Sequence, residues 1–275
     1  MLELIKEELV EIGVDPSSFI SINFEDMRYD HLLTAKALHE EVLHRAETID
    51  GKAYLFFDEI QEVSDWEKCV NSLRVTLDCD IYITGSNAKL LSGELATYLG
   101  GRYVEFVIYP FSFAEFLALY QPIAPQDSIQ QCFQKYLLSG GMPYLANLQY
   151  REEPSCQYLT DIFNSVQLKD IVKRNKVRDV DLLERILAYV MANVGTTFSA
   201  TSLSKFFKSE QRIVAPETIM NYIKYCCDAY LFYKVKRQDL QGKQILTTNE
   251  KYYIADHGIR EAVYGGNMRD INLIL

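Results

Sequence analysis

Over the first 110 residues the apolar positions alternate between two periods. Leu2, Ile5, Leu9 and Ile12 recur at three- and four-residue spacing, which stacks them on one face of a helix, so residues 1–12 are expected to be an amphipathic helix ending at Gly13. Residues 19–24 (FISINF) follow as a short strand. Helical period returns over 31–46, and residues 53–57 (AYLFF) form a continuous apolar run that reads as a strand buried on both faces. A helix over 66–77, a strand over 80–84 (DIYIT), a helix around 89–99 and a strand over 103–109 (YVEFVIY) complete the series, with Pro110 closing it. Strands that alternate with helices in this way assemble into a mainly parallel sheet covered by helices. The fold class expected is therefore α/β.

After a helix over 111–120 and a linker over 121–126 the pattern becomes helical. Residues 128–138 lead to the break Gly140-Gly141-Met142-Pro143, and helices are expected over 156–173 and 181–193. A different unit then begins. Ser199 and Thr201 can cap a helix through residue 208, Pro216 opens another to about 229, and strands are expected over 231–237, 244–248 and 252–254, with Gly242 in the turn. Helices followed by a hairpin are the winged-helix order. Three regions result: 1–120 as a sheet domain, 121–195 as a helical connector and 196–275 as a winged-helix domain.

Charge supports that division. Residues 1–120 hold 22 Asp and Glu against 9 Lys and Arg, a net of −13, while the remainder is +3 within a whole-chain net of −10. An acidic chain is a poor indiscriminate binder of nucleic acid, so any such surface must be local and lie in the second half. Residues 196–246 carry 8 basic side chains against 4 acidic ones. If the helix opened by Pro216 enters a major groove, Thr218, Asn221, Tyr222 and Lys224 meet the DNA, and Lys234, Lys236 and Arg237 of the wing meet phosphates. The bland alternative is an interaction platform with no DNA at all. The basic run over 169–178 reads as a solvated helix face. No apolar stretch approaches the roughly 20 residues that cross a bilayer, and the acidic start of the chain is unlike a secretory signal; a cytoplasmic protein is expected. The six cysteines show no C-x-x-C pair and no His at ligand spacing, so they read as reduced thiols and not as a zinc site.

The sharpest chemistry follows the apolar run of residues 53–57, where Asp58 and Glu59 stand together at the strand's C-terminal end. Open α/β sheets bind ligands there. One carboxylate can hold Mg2+ through its water shell while the next orients and deprotonates an attacking water. Alone, such a pair is more often a solvated acidic turn. One helix later the next strand ends in Thr84, Gly85, Ser86 and Asn87, small polar groups able to reach a γ-phosphate or equally to cap the following helix. Arg102, after Gly100-Gly101, is either an arginine that stabilises transferring phosphate or a surface arginine facing the acidic half.

The stretches FFDEIQEVSDWEKCVNSL and IYITGSNAKLLSGELATYLGGRYVEFVIYPFSFAEFLALY, with YLLSGGMP and LKDIVKRNKV beyond them, closely resemble a group of prokaryotic AAA-type ATPases. The resemblance covers most of the chain. It implies a P-loop NTPase-like (ASCE) sheet, ATP and Mg2+ as ligands, a winged-helix region and then a nuclease-like domain. It further implies that Asp58 is the magnesium-associated Walker B aspartate, Glu59 the catalytic glutamate, Ser86 or Asn87 the sensor and Arg102 a candidate finger, supplied within a homo-oligomer or to a protein partner. One departure is large. No G-x-x-x-x-G-K-[ST] occurs in the 275 residues, although that loop's amides and lysine normally cradle the phosphates. The expectation is a chain that lacks the loop and the first strand of the sheet and stops short of the nuclease-like domain. Two functions stay open: an ATP-binding and hydrolysing protein coupled to a DNA- or protein-binding winged helix, or a non-catalytic DNA-binding or adaptor protein that keeps the sheet as scaffold.

Overall fold

The computed structural model describes residues 1–86, 99–236 and 250–265. The chain divides into two compact units, Met1–Glu105 and Phe106–Leu275.

In the first unit, helix α1 (Leu2–Glu11) precedes strand β1 (Phe19–Asn23). Helix α2 (Ala35–Ala46), capped by the Thr34 hydroxyl, leads to strand β2 (Ala53–Asp58). Helix α3 (Trp66–Thr76) then leads to strand β3 (Cys79–Ile83). The three strands form one parallel sheet in the order β1-β2-β3, with Ile22 opposite Phe57 and Leu55 opposite Ile81. Parallel neighbours need a crossover long enough for a helix, which the spacers between these strands provide. β2 is central, and Leu55, Phe56 and Phe57 are each 0% exposed. Burying each contributes on the order of 1.5–3 kcal/mol, so this run anchors the unit. Leu38 and Val42 of α2 and Cys69, Val70 and Leu73 of α3 pack with Ile20, Ile22, Leu55 and Phe57 into a single apolar core. Phe56 belongs to no part of that core; its ring stacks on Tyr82 at 5.0 Å and meets Phe19 edge-on at 5.4 Å. Lys6 of α1 places its Nζ 5.1 Å from the Phe56 ring centre and donates to Ser21 Oγ at 2.8 Å.

The expected strand over 103–109 is not formed. Its residues join no ladder, and Val104, Phe106, Ile108 and Tyr109 are exposed. Alternating β-type residues make a strand only where a neighbour completes the backbone pairing, and no described strand lies alongside. The expected helix around 89–99 lies outside the described residues except for Leu99, which is buried in the core of the first unit.

The second unit is built from helices α4 (Phe113–Tyr120), α5 (Ile129–Ser139) and α6 (Glu152–Ser165). Both α4 and α5 start with reciprocal capping boxes, Ser112 with Glu115 and Ser128 with Gln131, each satisfying two end amides at once. The helix expected over 156–173 changes character halfway: after α6 the chain continues as a π-helix, Val166–Lys173. The widened stretch is where the polar side chains Gln167 and Asp170 are buried; Gln167 donates to Glu184 at 3.0 Å and Asp170 pairs with Arg174 at 3.3 Å. Helix α7 (Val180–Ala192) follows, then strand β4 (Thr197–Phe198), helix α8 (Ala200–Ser209) with Ser199 as its cap, and helix α9 (Pro216–Asp228). Strands β5 (Phe232–Val235) and β6 (Glu250–Ile254) and helix α10 (His257–Tyr264) complete the unit. The sheet here is antiparallel in the order β4-β6-β5. Gly242, Lys243 and the strand expected over 244–248 lie outside the described residues.

Two glycine sites explain the Gly140-Gly141 break. A Cβ at Gly141 would stand 2.2 Å from the Phe111 carbonyl oxygen, and one at Gly258 only 2.1 Å from that of Ser139. Those backbones touch because both positions lack a side chain. Gly140 faces the Asp256 carboxylate in the same way, and Asp256 accepts from Gly141 N at 2.7 Å and Ile259 N at 3.0 Å. One buried carboxylate thus caps α10 and fastens it to the end of α5.

Candidate functional site

The apolar run of β2 ends at a rim shaped by its neighbours. Parallel registry sets Asn23 of β1 beside Asp58, and Thr84 follows β3 so that its N–H donates to Phe57 O at 3.0 Å while Ile60 N donates to Thr84 O at 3.2 Å. This brings the Thr84 hydroxyl between the two acidic residues. It accepts from Glu59 N at 3.1 Å and donates to Asp58 Oδ1. Since Glu59 N must be the donor, the hydroxyl proton is left to point at Asp58, whose carboxylate is thereby held as an acceptor.

Glu59 is the turn itself. Its backbone is left-handed, φ 55° and ψ 44°, a conformation that costs a residue with a Cβ about 1–2 kcal/mol. Such strain persists only where surrounding bonds over-determine it, and it concentrates at working sites. The turn aims the carboxylate away from the strand direction, where Gln61 Nε2 donates to Glu59 Oε2. Gln61 Oε1 is buried and has no hydrogen-bond partner among the described residues, so the site holds an acceptor ready for a donor such as water. Pattern reading missed Gln61. Its signal was position alone, two residues beyond the carboxylate pair.

Asp58, Glu59 and Thr84 are therefore brought together, and Ser86 follows two residues after Thr84, half-buried and with bonded partners. Asn87 lies outside the described residues. Arg102 is exposed, its amide donating to Leu99 O at 2.9 Å, and among the described residues it makes no ion pair. Among those residues there is also no cluster of three His, Cys, Asp or Glu able to hold a metal by itself. The oxygen set of Asp58, Glu59 and Thr84 suits a hydrated Mg2+, which keeps most of its waters and takes one or two carboxylates. It does not supply the amide cradle that a triphosphate requires.

In the second unit α9 places Asn221 and Lys224 in solvent and leaves Thr218 and Tyr222 half-buried, burial raising the Tyr222 phenol. Lys234 is tied to Glu250 at 2.6 Å, so it is a weaker phosphate donor than its position suggests. Lys236 is exposed, and Arg237 lies outside the described residues. Among basic side chains that pattern reading did not single out, Lys205 and Lys208 of α8 are exposed, while Arg212 is bound to Asp179 at 2.7 Å and to Asp181. Ile213 and Phe206 stand out from the same region, 90% and 52% exposed.

Comparison with known proteins assigns the class. Residues 1–117 match the family model described as an AAA domain. The fold resembles that of the Walker-type ATPase PABY2304 of Pyrococcus abyssi, with a TM-score of 0.57 at 12% identity over 90% of this chain and 84% of that one. The first unit thus has a P-loop NTPase-like α/β fold and is similar to an AAA domain. Residues 130–270 match the model of a domain of unknown function (DUF8612), and the chain belongs to the family that this domain defines. An uncharacterized protein of Haemophilus influenzae is 37% identical over 261 residues, and the uncharacterized protein MJ1544 of Methanocaldococcus jannaschii is 33% identical over 254. These alignments cover 94% and 86% of this chain but 64% and 54% of the relatives, so the chain spans less than two thirds of the length of either. No helix among the described residues is long and apolar enough to cross a membrane.

Proposed function

We propose that the protein is an ATP-binding, ATP-hydrolysing AAA-type protein in which nucleotide state is coupled to a DNA- or protein-binding winged-helix module within residues 196–275. The observation that carries this reading is the Thr84 hydroxyl seated between Asp58 and Glu59 at the carboxyl rim of a parallel sheet. Asp58, fixed by that hydroxyl, holds the water shell of Mg2+, and Glu59, aimed by its left-handed turn and steadied by Gln61, orients the attacking water and takes its proton. Bound Mg2+ supplies charge neutralisation at the phosphates. Ser86 or Asn87 serves as the sensor, and Arg102 is the candidate finger. In the winged-helix module the order of helices, short strand and antiparallel strands supports the assignment, and Thr218, Asn221, Lys224, Lys234, Lys236 and Arg237 are the candidate DNA contacts.

The test is hydrolysis by the full-length gene product. Glu59→Gln should lower turnover by about 10²–10⁴-fold, the usual worth of a positioned general base, with ATP affinity changed less than about threefold; unchanged turnover would refute the role. A second reading, a non-catalytic adaptor that keeps the sheet as scaffold, is favoured by the absence of a glycine-lysine loop from these 275 residues. Titration of the 275-residue chain with labelled ATP and Mg2+ separates the two: no binding supports the adaptor reading for this chain, and submicromolar affinity removes it.

A further inference from the structure

The basic run over 169–178, which pattern alone reads as a solvated helix face, is held in a closed corner. Where the π-helix ends, Val177 N donates to Val172 O at 3.0 Å, Lys176 N to Lys173 O at 3.3 Å and Asn175 Nδ2 to Ile171 O at 2.9 Å. Lys176 is left-handed, φ 52°, which turns the chain while Val172 and Val177 pack on the core of the second unit. Lys173, Lys176 and Arg178 are left in solvent, and none of the three forms an ion pair among the described residues. The acids of the same stretch are already engaged. Asp170 pairs with Arg174 at 3.3 Å, and Arg212, from the loop before α9, takes both Asp179 at 2.7 Å and Asp181. The corner therefore presents cations whose neighbouring acids are neutralised, a surface suited to a polyanion.

Position selects which polyanion. Arg212 ties Asp179 to the entry of α9, and the Tyr222 phenol of α9 lies against the Asp179 backbone. Arg178 thus adjoins a junction with the helix that winged-helix order sends into the major groove, on which Asn221 and Lys224 are exposed. Glu217, exposed in the first turn of α9, opposes a phosphate, and the three cations outweigh it. We propose that Lys173, Lys176 and Arg178 form a phosphate clamp that seats the backbone of duplex DNA beside α9. Such contacts fix register and orientation and leave sequence to the helix. A corner closed by its own backbone bonds loses little freedom on docking. The inference rests on the winged-helix reading and commits it to duplex DNA.

The experiment is fluorescence anisotropy of a labelled random-sequence duplex of about three helical turns, titrated with the 275-residue chain over a series of KCl concentrations. Each phosphate contact contributes about 0.9 to the slope of log K against log[salt], so Lys173→Gln/Lys176→Gln/Arg178→Gln should lower the slope by about 2.7 and each single glutamine variant by about 0.9. Lys173→Arg/Lys176→Arg/Arg178→Lys should keep the wild-type slope, which a merely structural need for these side chains would not predict. An unchanged slope in the glutamine variants overturns the proposal; if Asn221→Ala/Lys224→Ala still weakens binding, the winged-helix reading survives that failure. A lowered slope in the glutamine variants with wild-type affinity in Asn221→Ala/Lys224→Ala upholds the clamp and removes α9 from the groove. No duplex binding by the wild-type chain overturns the clamp and leaves a protein-binding module.

Discussion

Replacing Asp256 by alanine tests the fastening of α10. The carboxylate is 2% exposed and caps α10 through Ile259 N at 3.0 Å, while Gly141 N, on a residue 115 positions away, donates to it at 2.7 Å. Loss of an N-cap costs about 1 kcal/mol, and stranding the buried Gly141 amide adds about 2 kcal/mol. The sum near 3 kcal/mol corresponds to a Tm lower by roughly 6–12 °C for a unit of this size. Burial drives the Asp256 carboxyl above its ordinary value, and the His257 charge and the amides of Gly141, Ile259 and Gly258 only partly oppose it.

The sign of the pH dependence follows. A raised folded-state pKa means that the native chain keeps a proton which the unfolded chain has released. That contribution to stability is fully present below the ordinary carboxylate range and is lost as pH rises through the raised value. The stability gap between wild type and Asp256→Ala should therefore widen from pH 7.5 toward pH 5, measured by denaturant melts of both proteins in the same buffers. Asp256→Asn, which cannot titrate, should show a pH-independent gap to the alanine variant. A wild-type gap below about 1 kcal/mol, or one that shrinks toward acid, refutes the reasoning.

Gly258→Ala should be the more severe change in the same place, because its Cβ meets the Ser139 carbonyl at 2.1 Å and overpacking against backbone costs about 3 kcal/mol or more; soluble yield and Tm report it, and a wild-type Tm would contradict the contact. Glu59→Gly should relieve the left-handed turn and raise stability by up to about 1 kcal/mol while abolishing ATP turnover by the full-length gene product, so a rise in melting temperature without loss of turnover would separate the strain from the proposed chemistry. Among the six free thiols Cys156 alone is exposed, whereas burial pushes the Cys69 and Cys227 thiols up to about 12 and raises Cys226 and Cys79 as well. Native titration with a thiol reagent should therefore show one fast equivalent, lost in Cys156→Ser; several fast equivalents would mean that the cores open readily.

What sequence patterns disclosed here is what depends on near neighbours along the chain. The period-3.6 stripes of α2, α3 and α7 and the solid apolar run of β2 were legible because each element's burial is written in its own residues. The meeting of Asp58 with Thr84 was legible at one remove, since parallel strands joined by a single helix end on the same rim. Glu59's left-handed backbone was not, because glutamate carries no bias toward it; the conformation is imposed by the bonds of Glu59, Ile60 and Phe57 to Thr84, 25 residues later. The clasp of Gly141, Asp256 and Gly258 was opaque for the same reason at greater range: Gly140-Gly141 announces a break, yet the feature that requires glycine there is backbone proximity to Phe111 and to a carboxylate 115 residues on. Residues 103–109 fail in the opposite sense. Their alternation states a strand without ambiguity, and the structure withholds it because a strand is a property of two chains of hydrogen bonds and sequence period reports only one of them.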